Sequence, residues 1–186
     1  MGRTLIIDAC CTLNLLATGR ELEIVRSLDL KLLDTEFTSK ESITLWTPPD
    51  SDGERHKEPA STAHLRSAGL LVETPFDTTA LSDAFVTCAE HINDADASCI
   101  ALAGVLGLPL VTDDRKERRV AHTLFPELEL VSTLDLLSEA SAAWPDRELL
   151  DAAIGLRWRG NFAPPRRDPR AEWYAGLLRR AGVPTP

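Results

Sequence analysis

The segment 93–119 constrains the fold of this chain more than any other. Asn93 is a typical helix N-cap, and the small and apolar residues after it repeat at the spacing of a helix with one buried face. Gly107 ends that helix, and the apolar run 108–111 has the length and composition of a strand buried on both faces. A helix that leads directly into a fully buried strand predicts a parallel α/β sheet.

The same alternation continues along most of the chain. Short apolar strands are predicted at 4–7, 30–34, 70–74 and 128–132. Helices are predicted at 12–19, 21–28, 60–68, 78–91, 115–122 and 133–143. We therefore expect a three-layer α/β/α fold with a central, mostly parallel sheet.

Two neighbouring segments are predicted from caps and composition. Thr38 and Glu41 have the spacing of a capping box, so we expect a helix to begin there and continue through 42–46. The segment 47–59 is rich in Pro, Asp and Gly and has no apolar period, which is typical of a loop or a mobile lid.

The chain divides by pattern and by charge near Trp144. Its 186 residues, 44% of them hydrophobic, suffice for one well-cored domain, which we place at 1–144. The remainder, 145–186, predicts two helices joined by a Pro-Pro linker, a C-terminal helical extension. This extension holds eight arginines and five acidic residues and so has a net charge of +3. Because the whole chain has a net charge of −9, the first 144 residues have a net charge of −12. A net negative charge argues against a general nucleic-acid coat protein.

The sequence also bears on the location of the protein and on the roles of its cysteines and histidines. No apolar run approaches the roughly 20 residues that span a bilayer, and the chain enters its first strand at once, so we expect a cytoplasmic protein that is not in a membrane. The four cysteines show no CxxC spacing and are interpreted as small buried hydrophobes. The four histidines have no ligand spacing.

Four acidic residues are predicted to meet at one edge of the sheet. Asp8 and Asp114 each follow a strand, while Glu41 and Asp96 each lie in the first turn of a helix. Each acid alone is explained more simply as a cap or turn residue. Together, clustered carboxylates repel one another and favour a hard cation, Mg²⁺ or Mn²⁺.

These motifs carry a family resemblance. From Leu5 to about Ser141 the chain resembles the PIN-domain ribonucleases, including the VapC-like toxins of toxin–antitoxin pairs. The matching segments are LIIDACCTLNLL with Asp8, DASCIALA with Asp96, and LVTDD with Asp114. The resemblance implies a PIN-like fold over 1–144 and a metal-dependent endoribonuclease that hydrolyses RNA.

The resemblance also implies roles for particular residues. Asp8, Asp96 and Asp114 would be metal ligands, and Glu41 would bind metal or orient the attacking water. The surrounding hydrogen-bonding set comprises Asn14, Thr112, Asp94 and Asp113. Cleavage by a metal-activated water would leave 5′-phosphate and 3′-hydroxyl ends.

Other classes are weighed against this interpretation. A receiver domain needs an acidic pair after its first strand, a haloacid-dehalogenase-type phosphatase needs DxD, and position 10 is Cys. A nucleotide-binding α/β protein needs a glycine-rich turn that this chain lacks. Two alternatives stay open: a catalytically inactive PIN-like protein-binding module, and a PIN-type nuclease that acts on DNA.

The extension adds a question about partners. Its last helix carries Trp173, Leu177 and Leu178 on a face too large to leave in water. That face would fold back on the domain, pair with a second copy as a homodimer, or bind an antitoxin or other regulatory protein. Folding back is the simplest of the three.

Overall fold

The structure is a computed structural model that describes residues 2–41, 43–165 and 167–185. Its helices are α1 Ala9–Thr18, α2 Glu21–Ser27, α3 Glu36–Ser39, α4 Ala63–Ser67, α5 Thr79–Ala89, α6 Asp94–Leu106, α7 Arg115–Leu124, α8 Thr133–Ala140, α9 Asp146–Trp158 and α10 Ala171–Arg180. Its strands are β1 Arg3–Ile7, β2 Leu30–Thr35, β3 Thr44–Trp46, β4 Lys57–Pro59, β5 Leu71–Thr74, β6 Leu110–Val111 and β7 Leu130–Val131.

Five strands form one parallel sheet in the order β5-β2-β1-β6-β7. The central strand β1 pairs with β2 on one side and with the two-residue β6 on the other. Because all five strands run the same way, their carboxyl ends lie along one edge, and α1, α3, α7 and α8 begin there. That edge holds the acids that follow β1 and β6.

Both faces of the sheet are covered, as the alternation of side chains along β1 shows. Leu5 and Ile7 belong to one hydrophobic core with α1, α2, α8, α9 and α10. Ile6 belongs to a second core with α5, α6 and α7. Successive side chains of a strand point to opposite faces, so two cores around one strand require helices in two layers. This confirms the predicted three-layer α/β/α fold.

The extension packs on the first of these cores. Helix α9 lies against α1 so closely that a Cβ added to Gly155 would come within 2.3 Å of the Ala17 carbonyl oxygen. From α10, Tyr174 and Leu178 are fully buried, and the Tyr174 hydroxyl donates to the Ala153 carbonyl at 3.3 Å. Of the three coverings considered for the apolar face of α10, the structure shows the fold-back.

The segment around Glu41 differs from its prediction. The capping box is formed by Thr35 and Thr38 one turn earlier, so α3 ends at Ser39 and Glu41 follows the helix. Residues 44–46 of the predicted helix form a strand instead, and Ser42 lies outside the described residues. The run Thr44–Trp46 contains a β-branched and an aromatic residue, which favour a strand.

The predicted loop 47–59 is wrong at its far end. Residues Lys57–Pro59 pair antiparallel with Thr44–Trp46 and complete a two-stranded hairpin. The residues between these strands are its turn. Pro59 can take this position because a two-stranded ribbon has open edges on which a missing N–H leaves no bond unmade. Along the described chain, no helix is both long and apolar enough to cross a membrane.

Candidate metal centre

Two of the predicted acids lie where their strands leave the sheet, and each also caps a helix. Asp8 follows β1 and its carboxylate accepts from the Cys11 backbone N–H at the start of α1. Asp114 accepts from the backbone N–H groups of Lys116 and Glu117, at 2.7 and 2.8 Å. Both carboxylates therefore satisfy helix N-termini, a role that needs no ligand.

Glu117, on α7, is the acid that the sequence prediction missed. Its side chain is fully buried, and Oε2 accepts from the Thr112 hydroxyl at 2.6 Å. Its other oxygen, Oε1, is buried and has no hydrogen-bond partner in the part of the chain that the structure describes. The signal was available, because Glu117 shares the buried stripe of α7 with Val120 and Ala121, where an unpaired acid is rare.

Asp8 and Glu117 form a pair of carboxyl groups in the interior. Burial raises the pKa of Asp8 to about 6, and the charge of Asp113 adds to the rise, while the hydrogen bond from the Cys11 backbone N–H opposes it. Burial also raises the pKa of Glu117 well above its usual range, and the Asp8 charge adds to that effect. Two carboxylates this close resist joint ionisation, so the pair holds a proton unless a cation replaces it.

Asp96 and Glu41 face the same region. Asp96 lies in the first turn of α6, where the Asn93 amide donates to it at 2.7 Å. Partial burial raises the pKa of Asp96 and the Asp114 charge raises it further, with the Asn93 hydrogen bond and Lys116 opposing. The pKa of Glu41 is raised first by burial and then by the Asp96 charge. The acids are thus linked electrostatically across three elements.

Cys10 lies among the same acids and, unlike the other three cysteines, it is exposed, so the prediction of four buried cysteines is wrong for this one. Its pKa is raised to about 12, first by partial desolvation of the thiol and then by surrounding charge. The carboxylates that contribute are those of Asp8, Asp96, Glu41 and Glu117. We call the set Asp8, Glu41, Asp96, Asp113, Asp114 and Glu117 the acidic pole.

Asp113 differs from the other members of the acidic pole because neutral donors surround it. It accepts from the Asn14 amide at 3.0 Å, from the Cys11 thiol at 3.3 Å, and from both the backbone N–H and the hydroxyl of Thr133. These bonds tie α1 and α8 to the end of β6.

The residues predicted to support the metal ligands have separate roles. Asn14 donates to Asp113, and Thr112 donates to Glu117. The predicted partner Asp94 is exposed on the first turn of α6.

The donor set of the acidic pole suits a hard cation, although its ligand atoms are spread. All of its members offer carboxylate oxygens, and no lysine or arginine forms an ion pair with any of them in the described chain. The buried Glu117 oxygen without a partner is the atom that a cation would satisfy. Binding would require side-chain rotation, because the caps hold Asp8 and Asp114 toward helix N-termini.

A tighter group of possible ligands occurs elsewhere. Among the described residues, only Asp50, Glu54 and His56 bring three ligand atoms within 4.8 Å of one another. All three side chains are exposed, and the Asp50 carboxylate already accepts from the backbone N–H groups of Asp52 and Glu54, each at 2.9 Å. These bonds explain the Asp50 side chain as part of the hairpin turn.

Comparisons with protein-family models, with curated proteins and with solved structures found no match.

Proposed function

We propose that the protein is a metal-dependent endoribonuclease of the PIN-domain kind, with the acidic pole as its active site. The observation that carries this proposal is the buried Asp8–Glu117 pair at the carboxyl edge of a parallel sheet, in which Glu117 Oε1 has no hydrogen-bond partner among the described residues. Burying two acids beside each other costs stability, and no lysine or arginine of the described chain pairs with either of them to offset that cost. A cation that enters the pair offsets that cost and makes the arrangement functional.

The residues of the acidic pole would have two roles, as metal ligands and as supports that hold those ligands in place. Asp8, Asp96 and Glu117, with Asp114 and Glu41 at the outer side, would hold Mg²⁺ or Mn²⁺. The ion when bound would polarise a phosphodiester and lower the pKa of water near it. Thr112 holds Glu117 in place through its 2.6 Å hydrogen bond. Asp113, which accepts hydrogen bonds from Asn14 and Thr133, fixes the end of β6, so that its neighbours Thr112 and Asp114 keep their positions.

RNA as the substrate rests on the resemblance to PIN-domain ribonucleases, with support from charge. Helix α7 begins beside the acidic pole with four basic residues, Arg115, Lys116, Arg118 and Arg119. Cations next to a carboxylate site suit a polyanion that must come near those carboxylates. A regulatory partner such as an antitoxin belongs to the same proposal.

The test is cleavage of single-stranded RNA in Mn²⁺ and in EDTA. We expect Mn²⁺-dependent cleavage that leaves 5′-phosphate and 3′-hydroxyl ends, and loss of at least about 100-fold in Asp96→Asn and Glu117→Gln. Asp83→Asn, an exposed acid on α5, is the matched control and should cleave like the wild type. Cleavage that persists in EDTA, or 2′,3′-cyclic phosphate products, would refute the mechanism.

Two outcomes would favour the alternatives. Equal or faster cleavage of a single-stranded DNA of the same sequence would make the protein a deoxyribonuclease that uses the same site. A folded protein that cleaves neither RNA nor DNA in Mn²⁺ or Mg²⁺ would favour a PIN-like scaffold that binds another protein.

A further inference from the structure

A cavity of about 680 Å³ opens beside the acidic pole, between α7, α8 and the extension. Asp113 belongs to both the pole and the cavity wall, so the two are adjacent. Leu130, Pro165 and Pro169 give the cavity an apolar part. The volume lies in the range of pockets that enclose small ligands and cofactors.

Three arginines supply the positive charge of this cavity. Arg115 and Arg118 come from α7, and Arg167 comes from the extension. Arg118 is held by the carbonyl oxygens of Thr112 and Val131, at 2.8 and 3.4 Å, so its guanidinium is fixed at the ends of β6 and β7. None of the three forms an ion pair with a carboxylate of the described chain.

The acids of the cavity wall already have partners. Asp135 pairs with Arg170 at 2.5 Å and accepts from Ser132. Asp168 accepts from the Arg170 backbone N–H at 2.7 Å, and Asp113 is surrounded by neutral donors. Those neutral donors leave the charges of Asp113 and Asp168 in place, so with Asp135 paired to Arg170 the cavity lining has an excess of one positive charge. No carboxylate of the described chain holds its three guanidinium groups in an ion pair. Guanidinium groups recognise phosphate oxygens through paired hydrogen bonds.

We infer that this cavity binds a nucleotide of a single-stranded RNA, one step along the strand from the phosphodiester at the acidic pole. The arginines take its phosphate, and the apolar part takes its base or sugar. This inference rests on the proposed function, and it gives the extension a direct role in substrate binding. By folding back, the extension brings Arg167 to the cavity. A domain that ended at Trp144 would lack this arginine.

Binding without cleavage tests the inference. The probe is a fluorescent single-stranded RNA of about ten nucleotides, measured by anisotropy in EDTA and again in Ca²⁺. The variant is Arg115→Gln with Arg167→Gln. Its control, Arg26→Gln with Arg147→Gln, also removes two exposed arginines, one from α2 and one from the extension, and neither lines the cavity.

We expect the cavity variant to bind RNA at least about tenfold more weakly than the control, and its salt dependence to fall by about 1.4 in the slope of log K against log salt for two lost phosphate contacts. Equal affinities of the two double variants, or no binding by the wild type in either buffer, would overturn the inference. RNA that binds through these arginines but is never cleaved would leave the inference standing and refute the proposed function. RNA that is cleaved by the wild type but bound equally well by the cavity variant and its control would refute the inference and leave the proposed function standing.

Discussion

At the scale of single residues, Glu117 dominates the behaviour of the acidic pole. Its pKa and that of Asp8 are raised in the folded protein, so the folded state keeps protons that the unfolded chain releases. Stability from this source is complete at pH values below the unfolded pKa and is lost as pH rises. For Asp8 the window runs from 3.8 to about 6, a loss on the order of 3 kcal/mol.

Glu117→Gln should therefore stabilise the protein in EDTA while it removes function. The amide cannot ionise, so we expect the variant to exceed the wild type by about 1–2 kcal/mol at pH 7.5, and the two to converge near pH 4. Thermal melts across this pH range measure the difference. A destabilised variant, or a gap that does not depend on pH, would contradict the assignment of Glu117 as a strained buried acid.

At the scale of elements, α9 packs closely against α1 at Gly155. Gly155→Ala places a methyl group 2.3 Å from the Ala17 carbonyl oxygen, and backbone on both sides must shift. We expect a loss of about 2–3 kcal/mol in urea unfolding. Gly176→Ala in α10 is the control, because its Cβ would meet only the end of the Arg179 side chain at 3.8 Å, and we expect no loss. Equal effects of the two substitutions would show that the α9–α1 contact is loose.

Most elements could be predicted because caps and periodicity agree in them. Asn93 and Gly107 bound α6 as expected, with Gly107 in the left-handed conformation. The prediction failed where two caps compete, since both Thr35 with Thr38 and Thr38 with Glu41 have the three-residue spacing of a capping box, and tertiary contact decides between them. Thr35 is favoured because its hydroxyl also bonds Ser98 of α6 at 2.7 Å.

The candidate site could be predicted only in part. Strand ends and helix starts indicate that Asp8, Asp96 and Asp114 share an edge, since that follows from a parallel sheet. Which carboxylate turns inward does not follow, because it depends on the contacts of side chains across α7 and β6. Those contacts turn Glu117 inward and surround Asp113 with neutral donors.

At the scale of the whole molecule, the extension is part of the folded unit. Ala152, Leu156 and Leu178 from 145–186 lie in the same core as Leu15 of α1. Truncation after Trp144 exposes this face, so we expect the shortened chain to aggregate or to lose its cooperative melt, while the full chain sediments as a monomer. A soluble, cooperatively folding chain of 144 residues would show that the extension is an independent docking element.

We expect the acidic pole to bind a divalent cation. Titration calorimetry with Mn²⁺ tests it most directly, on the wild type, on Asp96→Asn, and on a control in which Asp50→Asn breaks the alternative ligand group in the hairpin turn. We predict binding by the wild type and by Asp50→Asn with equal affinity, and loss of binding in Asp96→Asn. Absence of Mn²⁺ binding in the wild type, or binding lost in Asp50→Asn and kept in Asp96→Asn, would contradict the account.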